Sequence, residues 1–342
     1  MWRDIKYFLA YILPASAFWG IYRGGWHSFL TLLIAFAAIP LLEALLLPRS
    51  AGNIPPAEEA PRSKRRFFDW LLYLNIPLLW GLILYLAHTV QAGAHAWWEV
   101  LGMTLSTGLI AGTSGINVGH ELGHRQDKAE QAMAKLLLLP ALYMHFFIEH
   151  NKGHHKHVGT DADPASARRG ESLYAFWWRS VREGYLDAWR LEKQKLRRED
   201  KNFWSRQNEM IRFQVYQALY MVGMAVVFGK AVVPYLLGVA VVAFLLLETI
   251  NYIEHYGLRR QLLPNQRYEP VSPKHSWNSD HEIGRIMLYE LTRHSDHHYK
   301  ASRKYQILRH CEESPQLPMG YPAAVLLALA PPLWFRIMDK KL

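Results

Sequence analysis

Six stretches of this chain, about residues 5–22, 27–48, 68–89, 97–118, 211–229 and 232–255, approach the roughly 20 apolar residues that a helix needs to cross a bilayer. Hydrocarbon offers no partner for backbone N–H and C=O groups, so a spanning segment must be a helix or part of a closed barrel. Barrel strands are about half this length. The sequence therefore predicts an all-α fold: a six-transmembrane-helix bundle with cytoplasmic helical elements. Two shorter runs, 132–147 and 321–335, are each broken by proline and read as interfacial or re-entrant pieces.

The basic residues orient the bundle. The connection between the first two spans holds Arg23, that near 90–96 holds none, and that between the last two holds Lys230. Nearly all other Lys and Arg lie at the N-terminus, in 49–66, in 119–210 or after 256. Those segments share one side if both termini are cytoplasmic, so the positive-inside rule gives an N-in, C-in protein in one membrane domain over 1–342. The net charge of +10 is then a basic face toward anionic lipid, as an inner-membrane protein carries, and nucleic-acid binding has no separate support. Segment 48–66 reads as a polar linker between helix hairpins, and 183–207 as a charged cytoplasmic helix. The single cysteine, Cys311, excludes a disulfide framework and any four-cysteine metal site within the chain.

Histidines cluster in the segments assigned to that same side, 119–210 and 255–342. His120 and His124 stand four apart in "GHELGH", a spacing that shares a helix face. "EHNKGHH" carries His150 and His154 at the same spacing, with His155 turned about 100° away. "RHSDHH" carries His294, His297 and His298, and His255 lies in "NYIEHYG" at the end of the last span. A lone histidine at a membrane edge is ordinarily a hydrogen-bonded structural group. That reading suits His27, His88 and His95 on the other side, and His145, His157, His275, His281 and His310. Three clusters at helical spacing are different. Imidazole binds iron, zinc, copper and nickel, and eight or nine rings exceed one metal's needs but suit two. Structural zinc favours cysteines, so two irons with four or five histidines each fit the residues. Glu121, Glu149, Asp161, Asp163, Glu254 and Asp296 lie within the same motifs and are candidates to accept the second ring N–H of a ligand.

At these residues the chain resembles the integral-membrane di-iron family of alkane hydroxylases, fatty-acid desaturases and xylene side-chain monooxygenases, and within it most nearly the bacterial alkane 1-monooxygenases. The stretches that carry the resemblance are "HELGHR", "EHNKGHHKHVGTDADPASAR", "NYIEHYGL", "LTRHSDHHYKASRKYQ" and "ESPQLPMGYP", between residues 120 and 322. "NVGH" and Thr292 depart from the usual pattern, but no proposed ligand is lost. The resemblance implies a histidine-bound di-iron centre at the cytoplasmic edge of the bacterial inner membrane. It implies insertion of one oxygen atom of O2 into a terminal methyl C–H bond of an alkane. Two electrons per turnover would come from rubredoxin and its NAD(P)H-dependent reductase, since the chain has no flavin or nicotinamide fingerprint and no four cysteines of its own. Ala35, Ala37 and Ala38 on the second span are candidates to leave room for a lipid-dissolved substrate.

Other readings use fewer of these residues. "HELGH" matches the zinc-protease pattern with Glu121 as base, but leaves most clustered histidines without a role. A metal transporter would carry its ionisable groups near the bilayer midplane rather than at one edge. Within the oxidase class, xylene-type methyl groups and fatty-acyl chains are the alternative substrates.

Overall fold

The computed structural model describes residues 2–45 and 50–342. It is helical. Apart from two isolated bridges, Leu262 with Tyr268 and Asn278 with Gln316, the described residues form no β-structure. The chain starts with a 3-10 segment, Trp2–Tyr11, that continues into Ile12–Arg23, together α1. Then follow α2 (Gly25–Leu45), α3 (Arg66–Ala92) and α4 (97–123). Between α2 and α3, a short helix at Pro56–Ser63 occupies part of the expected linker; residues 46–49, where the second span should end and the linker begin, lie outside the described residues.

Two helices are long and apolar in the second half: α8 (Glu209–Phe228) and α9 (Lys230–His255), after α5 (Lys128–Leu138), α6 (146–157) and α7 (Leu173–Arg198). Among the described residues four helices, α2, α3, α8 and α9, are long and apolar enough to cross a membrane, as expected of a membrane protein. The other two expected spans are also helical. Residues 5–22 fall in α1, and 97–118 in α4, whose regular winding is interrupted by a π-helical turn. The expected charged helix starts earlier than its charges suggest, because Ser172 Oγ caps α7 by accepting from the Ala175 N–H. The proline-broken runs are short helices: α5 ends before Pro140, and 321–335 divides into two pieces, Tyr321–Ala328 and Pro331–Met338.

A glycine seam sets the centre of the bundle. A Cβ on Gly108 would stand 2.6 Å from Val242 Cβ, and one on Gly112 2.9 Å from Leu246 Cδ2, so both lie where α4 meets α9. Gly115 and Gly119 face α5 in the same way, 3.3 Å from the Leu137 carbonyl and 3.2 Å from that of Ala134. Small residues four apart let helices approach closely where no water is available to drive them together. The approach fixes α4 between α5 and α9, and α4 and α9 both end in site histidines.

A buried polar network ties the N-terminal helix to the C-terminal region. Tyr7 donates to Glu290 at 2.7 Å, Arg285 pairs with the same carboxylate at 2.7 Å, and Arg293 donates to the carbonyls of Leu308 (2.8 Å) and Gly52 (2.9 Å). Glu43 at the end of α2 accepts from the Gly284 N–H at 2.9 Å. A second apolar core, with Tyr252, Tyr256, Trp277, Tyr321 and Trp334, packs the C-terminal helices on the end of α9.

Two predictions follow from this packing. Gly108→Leu forces the α4–α9 seam apart and is expected to destabilise the protein by about 1–3 kcal/mol, read as a lower thermal midpoint in detergent. Glu290→Ala leaves Arg285 without its buried carboxylate partner and is expected to cost about 3–5 kcal/mol by the same measurement.

Candidate metal centre

All nine clustered histidines meet in one place, divided into two groups. His120, His124, His150, His155 and His297 form one, and His154, His255, His294 and His298 the other; within each group the ligand atoms lie within 4.8 Å of one another. His124 and His155 are partly exposed, whereas the four-histidine group is wholly buried. The remaining histidines stay outside both groups. Among them, burial pushes His145 down to about 3, and His310 sits 2.6 Å from Asp280.

Helix geometry decides the division. His120 and His124 share a face at the end of α4, as an α-helical i, i+4 pair should. His294 and His298 do the same in the helix His294–Tyr299, while His297 points into the other group. The second cluster corrects the sequence expectation. His150–His154 is a π-helical turn in which the His155 N–H reaches the His150 carbonyl, five residues back. His150 and His155 therefore share a face, with Nε2 atoms 3.0 Å apart, and His154 turns to the other group, 3.1 Å from His298 Nε2. The periodicity of an ordinary helix could not reveal this.

The rings present their nitrogens to one another. Asp163 can only accept, so at 2.9 Å it fixes the proton of His154 on Nδ1 and leaves Nε2 bare. The His275 carbonyl, 3.4 Å from His255 Nδ1, orients that ring the same way. Burial, reinforced by neighbouring imidazoles, holds His124, His150, His155, His294, His297 and His298 well below the usual imidazole pKa, so these rings are neutral. His120 Nε2, both nitrogens of His297 and His298 Nδ1 are buried without a hydrogen-bond partner. Each such group costs about 1–3 kcal/mol if left unsatisfied. Converging neutral imidazoles with orphaned nitrogens fit a bound metal, and an all-imidazole set without cysteine fits non-haem iron.

The carboxylates separate. Asp163 reaches His154, and Glu254 lies 3.2 Å from His294 Nε2. Burial alone would raise Asp163, but His154 and the Ser166 hydroxyl hold its carboxyl below the ordinary range. Glu121 instead pairs with Arg125 at 2.7 Å and accepts from the Tyr305 N–H, and Asp296 pairs with Arg303 and accepts from the Arg309 N–H. Asp161 pairs with Arg259 at the surface. Glu149 is buried beside Asp163, Asp187 and Glu248, and burial followed by these charges pushes it up.

An apolar cavity of about 110 Å³ ends on His120, His150 and His294. Sequence periodicity missed most of its walls, which include Leu13, Phe36, Ile39, Leu109 and Leu246. Of the three alanines expected to leave room, Ala35 lines it, whereas Ala37 and Ala38 face outward because the turn Ile34–Ala38 is also π-helical.

A buried histidine cage facing an apolar slot fits a metal-dependent oxidative enzyme with an apolar substrate, and the sequence comparisons agree. Residues 95–326 match the fatty acid desaturase family. The chain is 41% identical to alkane 1-monooxygenase 2 of Pseudomonas aeruginosa, covering 96% of this chain and 88% of the relative. It is 39% identical to alkane 1-monooxygenase of Ectopseudomonas oleovorans over 99% of this chain and 85% of the relative. The hydroxylase component of xylene/toluene monooxygenase from Pseudomonas putida is 30% identical over 98% and 88%. The chain belongs to the fatty acid desaturase family, and within it to the alkane 1-monooxygenases.

His297→Ala and His154→Ala each remove a donor from one group, and each is expected to lower bound metal per chain in elemental mass spectrometry; His157→Ala, outside both groups, should leave it unchanged. Asp163→Asn replaces the anionic acceptor behind His154 by a neutral amide and should weaken metal retention about 10- to 100-fold.

Proposed function

We propose that the protein is a di-iron monooxygenase that hydroxylates the terminal methyl of alkanes to primary alcohols. The observation that carries this reading is the pair of histidine groups closing the end of an apolar cavity, in a chain whose relatives are named alkane 1-monooxygenases. One iron would be held by His120, His124, His150, His155 and His297, the other by His154, His255, His294 and His298. Bound there, iron supplies the oxidation of an unactivated C–H bond with O2.

The chain's own residues do the rest. A methyl group has no polar handle, so the cavity walls position it by shape and exclusion of water. Asp163 holds one ligand tautomer, and burial keeps the rings neutral. The whole chain forms one membrane domain of six spans, both termini and the histidine groups on the cytoplasmic side of a bacterial inner membrane. Exposed Trp26 and Trp97 at one end of the bundle, and Trp70 and Trp204 beside the starts of α3 and α8, suit two interfacial belts.

Electrons enter from a separate carrier, and rubredoxin is the proposed donor. His124 and His155 bring the five-histidine group nearest the surface, where Lys152, Lys156 and Lys300 are exposed for an acidic partner. Oxidation of aromatic methyl groups is the second reading, favoured by the similarity to the xylene/toluene relative. The protease reading loses its base, because Glu121 is buried and bound to Arg125.

Product analysis with octane, hexadecane and xylene tests the reaction: a primary alcohol from an alkane is expected, and oxidation of xylene alone would replace the first reading by the second. Lys152→Glu, Lys156→Glu and Lys300→Glu should slow reduction by rubredoxin and flatten its salt dependence; unchanged rates across the series would rule this docking face out.

A further inference from the structure

Helices α8 and α9 form a hairpin. Only Gly229, at a φ of +83°, separates them, so the start of α8 and the end of α9 lie on the same side of the bundle. Helix α7 runs between those two ends. Near its start, Trp177 Nε1 donates to Thr249 Oγ1 at 3.1 Å and Phe176 packs on Tyr252, both in the last two turns of α9. Near its end, Glu192 accepts from the Glu209 N–H at 2.9 Å and Lys195 pairs with the Glu209 carboxylate, the first residue of α8. A helix tied to two spans in this way lies along the membrane surface rather than across it.

The two faces of α7 differ. Its inner face backs the π turn that carries ligands: a Cβ on Gly153 would stand 3.0 Å from Asp187 Oδ2 and 3.2 Å from Leu191 Cδ1. Asp187 and Glu192 are buried on that side, and Glu183 pairs with Arg179. The outer row recurs every three or four residues and holds no carboxylate. Tyr174, Trp178 and Leu186 are its apolar members, and Trp178 is 77% exposed beside the end of α9. Arg182, Lys193, Arg197 and Arg198 are exposed along the same row, and so is Arg190, which also reaches Asp187 at 2.7 Å.

Tryptophan at the edge of a span suits the boundary between headgroup and hydrocarbon, and Arg and Lys there are drawn to anionic lipid. An electron carrier would have to approach the histidines, whereas this row points away from them. We propose that the outer face of α7 lies on the membrane surface and binds the headgroups of anionic phospholipid. The inference needs α8 and α9 to be spans, but not a particular orientation or reaction.

The test uses full-length protein in lipid nanodiscs and in mixed micelles of phosphatidylglycerol and phosphatidylcholine. Native mass spectrometry of bound lipid is the first readout. Wild type should prefer phosphatidylglycerol, and Arg182→Gln, Lys193→Gln, Arg197→Gln and Arg198→Gln should each lower that preference about fivefold. Arg182→Lys, Arg197→Lys and Arg198→Lys should keep it. Lipid brominated near the headgroup should quench tryptophan fluorescence less in Trp178→Phe than in wild type. An unchanged lipid preference in the combined glutamine variant would overturn the inference, as would equal quenching in Trp178→Phe. So would slower reduction by rubredoxin with the lipid preference intact, which would assign this face to the carrier. Protein that stays out of the nanodiscs would instead overturn the membrane reading.

Discussion

Convergence of buried imidazole nitrogens on two points is the constraint on which this structure turns. Nine imidazoles, most of them buried, point at one another across about 3 Å gaps such as those between His154 and His298 or His255 and His294. Without a cation, such a cluster would lose hydration and gain few hydrogen bonds in return, and rings would rotate away to find partners. The surrounding helices must therefore hold the rings against relaxation. Ends of α4 and α9, the π turn of α6 and the C-terminal histidine helix do so from four directions. The ends of α4 and α9 and the C-terminal histidine helix are fixed elsewhere, by the glycine seam, by the aromatic core under Trp334 and by the buried Glu290 network.

The apolar cavity belongs to the same arrangement. Its walls come from α1, α2, α4, α9 and the C-terminal helices, and its polar end is the histidine cage. Two of the three π turns lie in its walls and the third carries ligands. A π turn widens the helix locally and re-aims side chains without breaking the rod, which is why such turns recur at functional sites. Here they let continuous apolar helices present metal donors at one end and smooth hydrocarbon along the side.

Much of this was legible in the residues. Apolar length announced helices, and every histidine singled out by spacing joined one of the two groups. The four-or-five division also followed from counting rings against coordination numbers. What spacing could not give was the partition of the second cluster, because an i, i+4 rule assumes an α-helix where residues 150–155 wind more loosely. Nor could it rank the carboxylates. Glu121 and Asp296 sit inside histidine motifs yet answer to arginines a few residues further along, Arg125 and Arg303. The glycines of α4 were visible as letters, but their meaning depends on which helices arrive beside them.

The π turn at His150–His154 carries a consequence for how this chain can change over generations. Tightening it to ordinary winding with the same number of residues would turn everything downstream relative to His150. His154 and His155 would then exchange sides, and each group would gain a ring it has no room for and lose one it needs. Replacement of Asn151 or Lys152, whose side chains lie away from both groups, leaves that register intact. In this short stretch the looser winding, which sets His150 and His155 on one face and His154 on another, is under tighter constraint than the identity of the residues between the histidines.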